Sequence, residues 1–80
     1  MGRVVDKRLR NLKLGPNVFG KNLRKVRESL GLTQAELAGR AQLTPAAISQ
    51  IEGGSRDPCL STICRILEVI PVKFEKLIET

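Results

Sequence analysis

The sequence contains no histidine, tryptophan or tyrosine and only two phenylalanines. Without histidine it lacks the usual general base near neutral pH and the commonest metal ligand. Its two cysteines alone cannot complete a four-ligand zinc site, and two aromatic side chains are too few to stack the bases of single-stranded nucleic acid. We also find no nucleophile–base set, glycine-rich phosphate loop or metal-binding cluster. We therefore predict that the protein is not an enzyme and uses no metal or other cofactor.

Long apolar runs are also missing. None approaches the roughly 20 residues of a transmembrane helix, and near the N-terminus the valines at 4–5 are followed at once by charged residues 6–8, unlike a signal peptide. We therefore expect a cytoplasmic protein without membrane attachment. In that compartment Cys59 and Cys64 are reduced thiols, and we expect them to fill the core rather than to serve redox chemistry.

Positive charge is plentiful and unevenly distributed. The 80 residues are 41% hydrophobic and 28% charged, which predicts one small globular domain. Residues 1–30 hold nine lysines and arginines against two acids, a net charge of +7, whereas residues 31–80 hold five against six, a net charge of −1. This asymmetry favours a polyanionic partner, either nucleic acid or an anionic membrane surface. The alternative is a charged face that only improves solubility.

The segment 15–17, Gly-Pro-Asn, divides a basic N-terminal arm (residues 1–16) from the domain that follows (residues 17–80). Apolar residues in the arm fit either a helix or short strands. The arm has two possible roles. It follows a DNA groove and adds phosphate contacts, or it packs against a second subunit or a partner protein through its apolar residues: Val4, Val5, Leu9, Leu12 and Leu14.

The first predicted helix covers residues 18–30, with Asn17 as its N-cap. Four apolar residues recur at helical spacing and form one stripe: Phe19, Leu23, Val26 and Leu30. Gly31 ends the helix where a left-handed residue is favoured.

Two short helices follow, each with a strong start signal. The first runs from Thr33 to about Ala41 and begins with a capping box, in which the Thr33 hydroxyl and the Glu36 carboxylate each accept a backbone N–H of the other residue. The next begins with Thr44 as N-cap and Pro45 at the first helical position, and it ends at the glycines 53–54.

The fourth predicted helix starts at residues 57–58, Asp-Pro. Its inner stripe is predicted to consist of Leu60, Ile63, Cys64 and Leu67, widened by Ile66 and Ile70. Pro71 separates it from a last helix over residues 72–78. Five short helices, and no strand predicted outside the arm, indicate an all-α domain.

The second and third helices are joined by residues 41–44 only, beside a basic helix. This is the helix-turn-helix arrangement, which lets one helix enter the major groove of DNA. Its expected core positions are all apolar: Leu37, Ala41, Leu43, Ile48 and Ile51, with the small Ala38 where the two helices come closest.

Three motifs occur in the order and spacing of a known family: Leu-Thr-Gln-x-Glu-Leu-Ala at 32–38, Ile-Ser-x-Ile-Glu-x-Gly at 48–54, and Pro58 followed by an apolar helix. With these motifs, residues 17–78 resemble the repressor/Cro-type (XRE-family) helix-turn-helix domain. The resemblance implies a compact five-helix, lambda-repressor-like fold.

The resemblance also implies roles for individual residues. Those implied to face base edges are Thr44, Pro45, Ala46, Ser49 and Gln50. Those implied to contact phosphate are Thr33, Gln34, Gly53, Gly54, Ser55 and Arg56. Arg27 and Glu52 match a structural ion pair between the first helix and the end of the third.

Two departures from the family pattern matter. Gln42 replaces a turn glycine with positive φ, at a cost of ~1 kcal/mol. The surface that would read bases contains the apolar Pro45, Ala46 and Ala47 and no arginine for guanine. Selectivity therefore rests on few direct contacts together with DNA shape and the arm.

These observations predict a sequence-specific double-stranded DNA-binding transcriptional regulator. We expect a dimeric repressor that inserts residues 44–52 in the major groove, because two small modules double the contact with DNA. Candidate dimer contacts are Phe74, Leu77 and Ile78. The alternative is an antitoxin-like or adaptor module that uses its arm to bind a protein, with DNA binding secondary.

Overall fold

Five short helices make up most of residues 17–79, the part of the chain that the computed structural model describes. They are α1 (Val18–Ser29), α2 (Gln34–Ala41), α3 (Pro45–Gly53), α4 (Leu60–Val69) and α5 (Phe74–Leu77). Within this range there is no strand, and the predicted all-α class is confirmed. The basic arm, residues 1–16, lies outside the described residues.

Helix α1 begins and ends through left-handed residues. At its end Gly31 has φ 73°, as predicted. At its start Asn17 has φ 74° and makes no side-chain capping bond to α1. Asn17 is thus the N-cap residue, as predicted, but its side chain contacts α3 instead, where the amide nitrogen donates to the Glu52 carbonyl at 2.9 Å.

Helices α2 and α3 form the predicted helix-turn-helix. The capping box of α2 is complete, with the Glu36 N–H donating to the Thr33 hydroxyl (3.0 Å) and the Thr33 N–H donating to the Glu36 carboxylate (2.8 Å). Gln42 adopts the predicted left-handed conformation, with φ 60°. The expected core residues are buried, apart from Leu43, which is half-buried against the core.

Helix α4 differs from its prediction in both start and orientation. It begins at Leu60, and residues 57–59 remain irregular. Ile66 and Ile70 are its core residues, whereas Leu60 is 75% exposed and Cys64 is also exposed. Leu67 packs against the core as predicted, but the inward positions of Leu60 and Cys64 and the burial of both cysteines were predicted wrongly, because α4 packs on α2 through a neighbouring part of its wide apolar arc.

Helix α5 is a single turn that closes the core against α1. Leu77 is completely buried. The Asn22 amide on α1 donates to the carbonyl of Leu77 at 2.9 Å and to that of Glu79 at 2.8 Å. The last turn is shorter than the predicted helix over residues 72–78, and residue 70 is extended before Pro71, as expected.

Candidate nucleic-acid interface

Helix α3 divides into an outer and an inner face. All five side chains expected to meet base edges are exposed: Thr44, Pro45, Ala46, Ser49 and Gln50. The opposite face is buried and includes Ala47, Ile48 and Ile51. The core therefore fixes the rotation of α3 and leaves the outer face open to a ligand.

The first turn of α3 is capped locally. The Thr44 hydroxyl accepts the Ala47 backbone N–H at 3.1 Å, and Pro45 occupies the first helical position. Among residues 17–79, no side chain from another element hydrogen-bonds to Thr44, Pro45 or Ala46. This turn is therefore accessible in the folded chain.

A buried ion pair joins α1 to the end of α3. Arg27 Nε donates to Glu52 Oε2 at 2.7 Å and Arg27 Nη2 to Glu52 Oε1 at 2.9 Å, and the two residues are only 7% and 6% exposed. Hydrogen bonding to Glu52 raises the pKa of Arg27. The pair has the geometry that the resemblance implies.

Gln34 shares the same carboxylate. Its amide nitrogen donates to Glu52 Oε1 at 3.1 Å, which fixes the first residue of α2 beside the last turn of α3. Its second N–H has no acceptor among residues 17–79 and can donate to a ligand. Because Gln34 begins α2, the unpaired backbone N–H groups of that helix end also favour an anion here.

Thr33 precedes Gln34 and is exposed. The backbone N–H of Thr33 donates to the Glu36 carboxylate in the capping box, and this bond is the main cause of the lowered pKa of Glu36. Hydrogen bonding with the Thr33 hydroxyl lowers that pKa further. The side chain of Thr33 is thus used within the helix cap.

The loop after α3 folds back onto the helix. Gly54 has φ 85°, and the Ser55 N–H donates to the Gln50 carbonyl at 3.0 Å. This turn brings Arg56 Nη1 to 3.5 Å from Gln50 Oε1. An exposed cation therefore lies beside a candidate base-reading amide, a contact that the sequence analysis missed.

Sequence reasoning also missed the contact between α1 and α3 at Gly20. A Cβ at this position would collide with the Ile51 carbonyl and with the Asn17 side chain. The available signal was a glycine one turn before the buried Leu23, since a glycine on the buried face of a helix marks a close backbone approach.

The three candidate dimer contacts differ in how deeply they are buried. Leu77 is completely buried in the core and has no surface for a subunit contact, so that expectation is corrected. Phe74 is 39% exposed and Ile78 is half-buried, and both remain accessible.

Cys59 is an exposed thiol at the start of α4. Its Sγ lies 3.2 Å from both the Ser61 and the Thr62 hydroxyls. Hydrogen bonds from these two hydroxyls, together with backbone N–H groups, lower its pKa to about 6. No group of three or more potential metal ligands occurs in residues 17–79. In the same range, every helix is too short or too polar to span a bilayer.

Comparison with known proteins agrees with this architecture. A helix-turn-helix family profile matches residues 23–77, and the chain belongs to this family. Over 62 residues, the chain is 32% identical to YqaE of Bacillus subtilis (strain 168), an uncharacterized HTH-type transcriptional regulator. The match covers 78% of this chain and 53% of YqaE, so the chain spans about half the length of this relative.

Proposed function

We propose that this protein is a sequence-specific, double-stranded DNA-binding transcriptional regulator that acts by binding rather than by catalysis, in the cytoplasm. The observation that carries the proposal is the division of α3, whose buried face is locked into the core while five candidate base-reading residues are exposed together. Family membership and the similarity to an HTH-type transcriptional regulator support the same function.

Phosphate contacts position the module on the duplex. Gln34 offers its free amide N–H and its position at the start of α2, and Thr33 lies next to it. The loop with Gly53, Gly54, Ser55 and Arg56 is exposed directly after the last turn of α3, the turn that Gln34 contacts through Glu52. Phosphate contacts from the start of α2 and from this loop would hold α3 in the groove between two phosphate backbones.

Base contacts are few. Gln50 offers an amide, Ser49 and Thr44 offer hydroxyls, and Ala46 offers a methyl group for thymine. The Thr44 hydroxyl already accepts the Ala47 N–H, which leaves its O–H and one lone pair for a base. Selectivity therefore depends on Thr44, Ser49 and Gln50, together with the shape of the DNA and the arm.

Repression follows if an occupied operator excludes polymerase. A dimer would place two α3 helices in successive major grooves, with half-sites about 34 Å apart. One small module contacts few bases, so a second copy is needed for high affinity.

A gel-shift series with the full chain and an unrelated duplex, at low and moderate salt, tests the proposal. We expect binding at low salt that weakens steeply as salt rises, because phosphate contacts release counterions. The absence of any gel shift with duplex DNA at low ionic strength would instead support the antitoxin-like or adaptor function.

A further inference from the structure

The loop after α3 is fixed against the last turns of the helix by two backbone hydrogen bonds. The Ser55 N–H donates to the Gln50 carbonyl at 3.0 Å, and the Gly54 N–H donates to the Ile51 carbonyl at 3.2 Å. With Gly54 at φ 85°, these two bonds form a Schellman motif, the double hydrogen bond of a helix that ends at a left-handed glycine. The backbone of Arg56, the next residue, is therefore held at a set position relative to Gln50.

The Arg56 guanidinium faces the oxygen of the Gln50 amide and leaves the amide nitrogen open. Arg56 Nη1 lies 3.5 Å from Gln50 Oε1. Arginine has only donors, so the amide atom that faces it must be the oxygen, and the NH₂ group is the end that points elsewhere. Among residues 17–79 no carboxylate pairs with Arg56, so its positive charge acts on Gln50 without a counter-charge.

A cation beside the amide changes which base edge suits Gln50. In the major groove a glutamine alone pairs with adenine through both ends of its amide, because the nitrogen donates to N7 and the oxygen accepts from the N6 amino group. Gln50 Oε1 keeps a second lone pair, but the adenine amino group would bring a donor toward the Arg56 cation. Guanine instead presents two acceptors, N7 and O6, which are attracted both by the amide N–H and by the positive charge.

We propose that Arg56 is a positioning residue that makes Gln50 select guanine rather than adenine. This inference rests on the proposed function, in which α3 lies in the major groove. It gives the protein a donor contact for guanine that α3 alone lacks, since residues 45–53 contain no arginine or lysine. The guanidinium has five N–H donors, so Arg56 can hold Gln50 and a phosphate at the same time.

The contact between the two side chains can be tested without DNA. In a nitrogen–proton NMR correlation spectrum of the full chain, the side-chain amide signals of Gln50 are assigned by their disappearance in Gln50→Glu. Arg56→Ala should shift these signals, because the amide loses its cationic neighbour. Lys73→Ala removes an exposed cation before α5 and should leave them in place. Unmoved Gln50 signals in Arg56→Ala would overturn the proposal.

The choice of base is tested by enrichment of bound duplexes from a random pool. The relevant position is the one at which Gln50→Ala loses discrimination. There the original chain should prefer guanine over adenine by about tenfold, as one good base contact provides. Arg56→Ala should reverse this preference toward adenine, because no cation then faces the amide oxygen. Arg56→Lys, which keeps a cation and a donor, should retain guanine.

A control variant separates this role from phosphate binding. Gln34→Ala removes a proposed phosphate contact from a side chain that bonds to Glu52 and not to Gln50, and it should weaken binding without changing the preferred base. The inference would be overturned by one preferred base shared between the original chain and Arg56→Ala, by a base other than guanine in the original chain, or by adenine in Arg56→Lys. Each of these results leaves DNA binding intact, whereas no enriched duplex at all would refute the proposed function and this inference with it.

Discussion

Arg27 on α1 holds the Glu52 carboxylate at the end of α3 through two hydrogen bonds, of 2.7 and 2.9 Å, in a buried setting. Gln34 donates to the same carboxylate. This pair therefore connects the first helix, the start of α2 and the end of α3, and it sets the position of the candidate DNA-reading helix.

Removing one partner of the pair should strongly destabilise the fold. Arg27→Met leaves Glu52 charged, buried and short of hydrogen bonds, and we expect a loss of about 3–5 kcal/mol in the free energy of unfolding. The double variant Arg27→Met/Glu52→Leu should recover most of this loss, because it leaves no buried charge. Urea denaturation measures both.

The exposed pair of Arg24 and Glu28, at 3.1 Å, provides the control. Arg24→Met should cost less than about 1 kcal/mol, since exposed ion pairs contribute little. Equal losses for Arg24→Met and Arg27→Met would refute the structural role given to the buried pair.

Two glycine substitutions should have opposite effects on stability. Gly20→Ala introduces a Cβ against the Ile51 carbonyl, which is backbone and cannot rotate away, so we expect a loss of about 3 kcal/mol or more. Gly39→Ala lies in an exposed part of α2 with open space around it and should stabilise by about 0.5–1 kcal/mol. Thermal melts of both variants test whether α1 and α3 are in backbone contact. An unchanged melting temperature in Gly20→Ala would show that they are not.

Arg56 and Gln50 should differ in what they contribute to DNA binding. If Arg56 contacts phosphate as proposed, Arg56→Ala should lower the affinity for all sequences and decrease the log–log salt slope by about 0.9. Lys73→Ala, an exposed cation before α5, is the charge-matched control and should leave the slope unchanged. Fluorescence anisotropy over a salt series measures both. An unchanged slope in Arg56→Ala would place Arg56 away from phosphate.

The 3.5 Å contact between Arg56 and Gln50 adds a further test. If Arg56 also orients the Gln50 amide, the effects of Arg56→Ala and Gln50→Ala on affinity should not be additive. Simple additivity in the double variant would mean that the two side chains act independently.

Cys59 should react as a thiolate at neutral pH. Its pKa of about 6 lies below the usual thiol value, so the rate of alkylation by iodoacetamide should rise through pH 6 and level off above it. The Cys64→Ser variant isolates this thiol. Replacing Ser61 and Thr62 by Ala and Val removes the two hydroxyls and should move the midpoint upward. A midpoint near 8.5 before any substitution would contradict the hydrogen bonding described for Cys59.

Local signals predicted most of the fold because they depend on neighbouring residues. The capping box of Thr33 and Glu36, the Thr44–Pro45 helix start and the left-handed Gly31 and Gln42 all have the predicted form. The rotation of α4 could not be predicted in this way, since its apolar arc is wide enough to permit more than one packing direction. Helical periodicity does not distinguish the core residue Ile66 from the exposed Leu60.

The same distinction between local signals and long-range packing applies to the candidate site. The exposed face of α3 follows from its own periodicity and from the family resemblance. In contrast, Asn17 on the Glu52 carbonyl, Gln34 on the Glu52 carboxylate and Arg56 on Gln50 join residues that are distant in the sequence or lie across a turn. Only the folded chain, through helix packing and the turn after α3, brings these groups together.

The most direct test of the central claim is selection of bound duplexes from a random pool, with the original chain and with Gln50→Ala side by side. If α3 reads bases in the major groove, the original chain should enrich paired half-sites about one helical turn apart. Gln50→Ala should then lose discrimination at a single base position in each half-site, by about 1–3 kcal/mol. Enrichment of the same sequences by both proteins would show that the exposed face of α3 does not read the DNA.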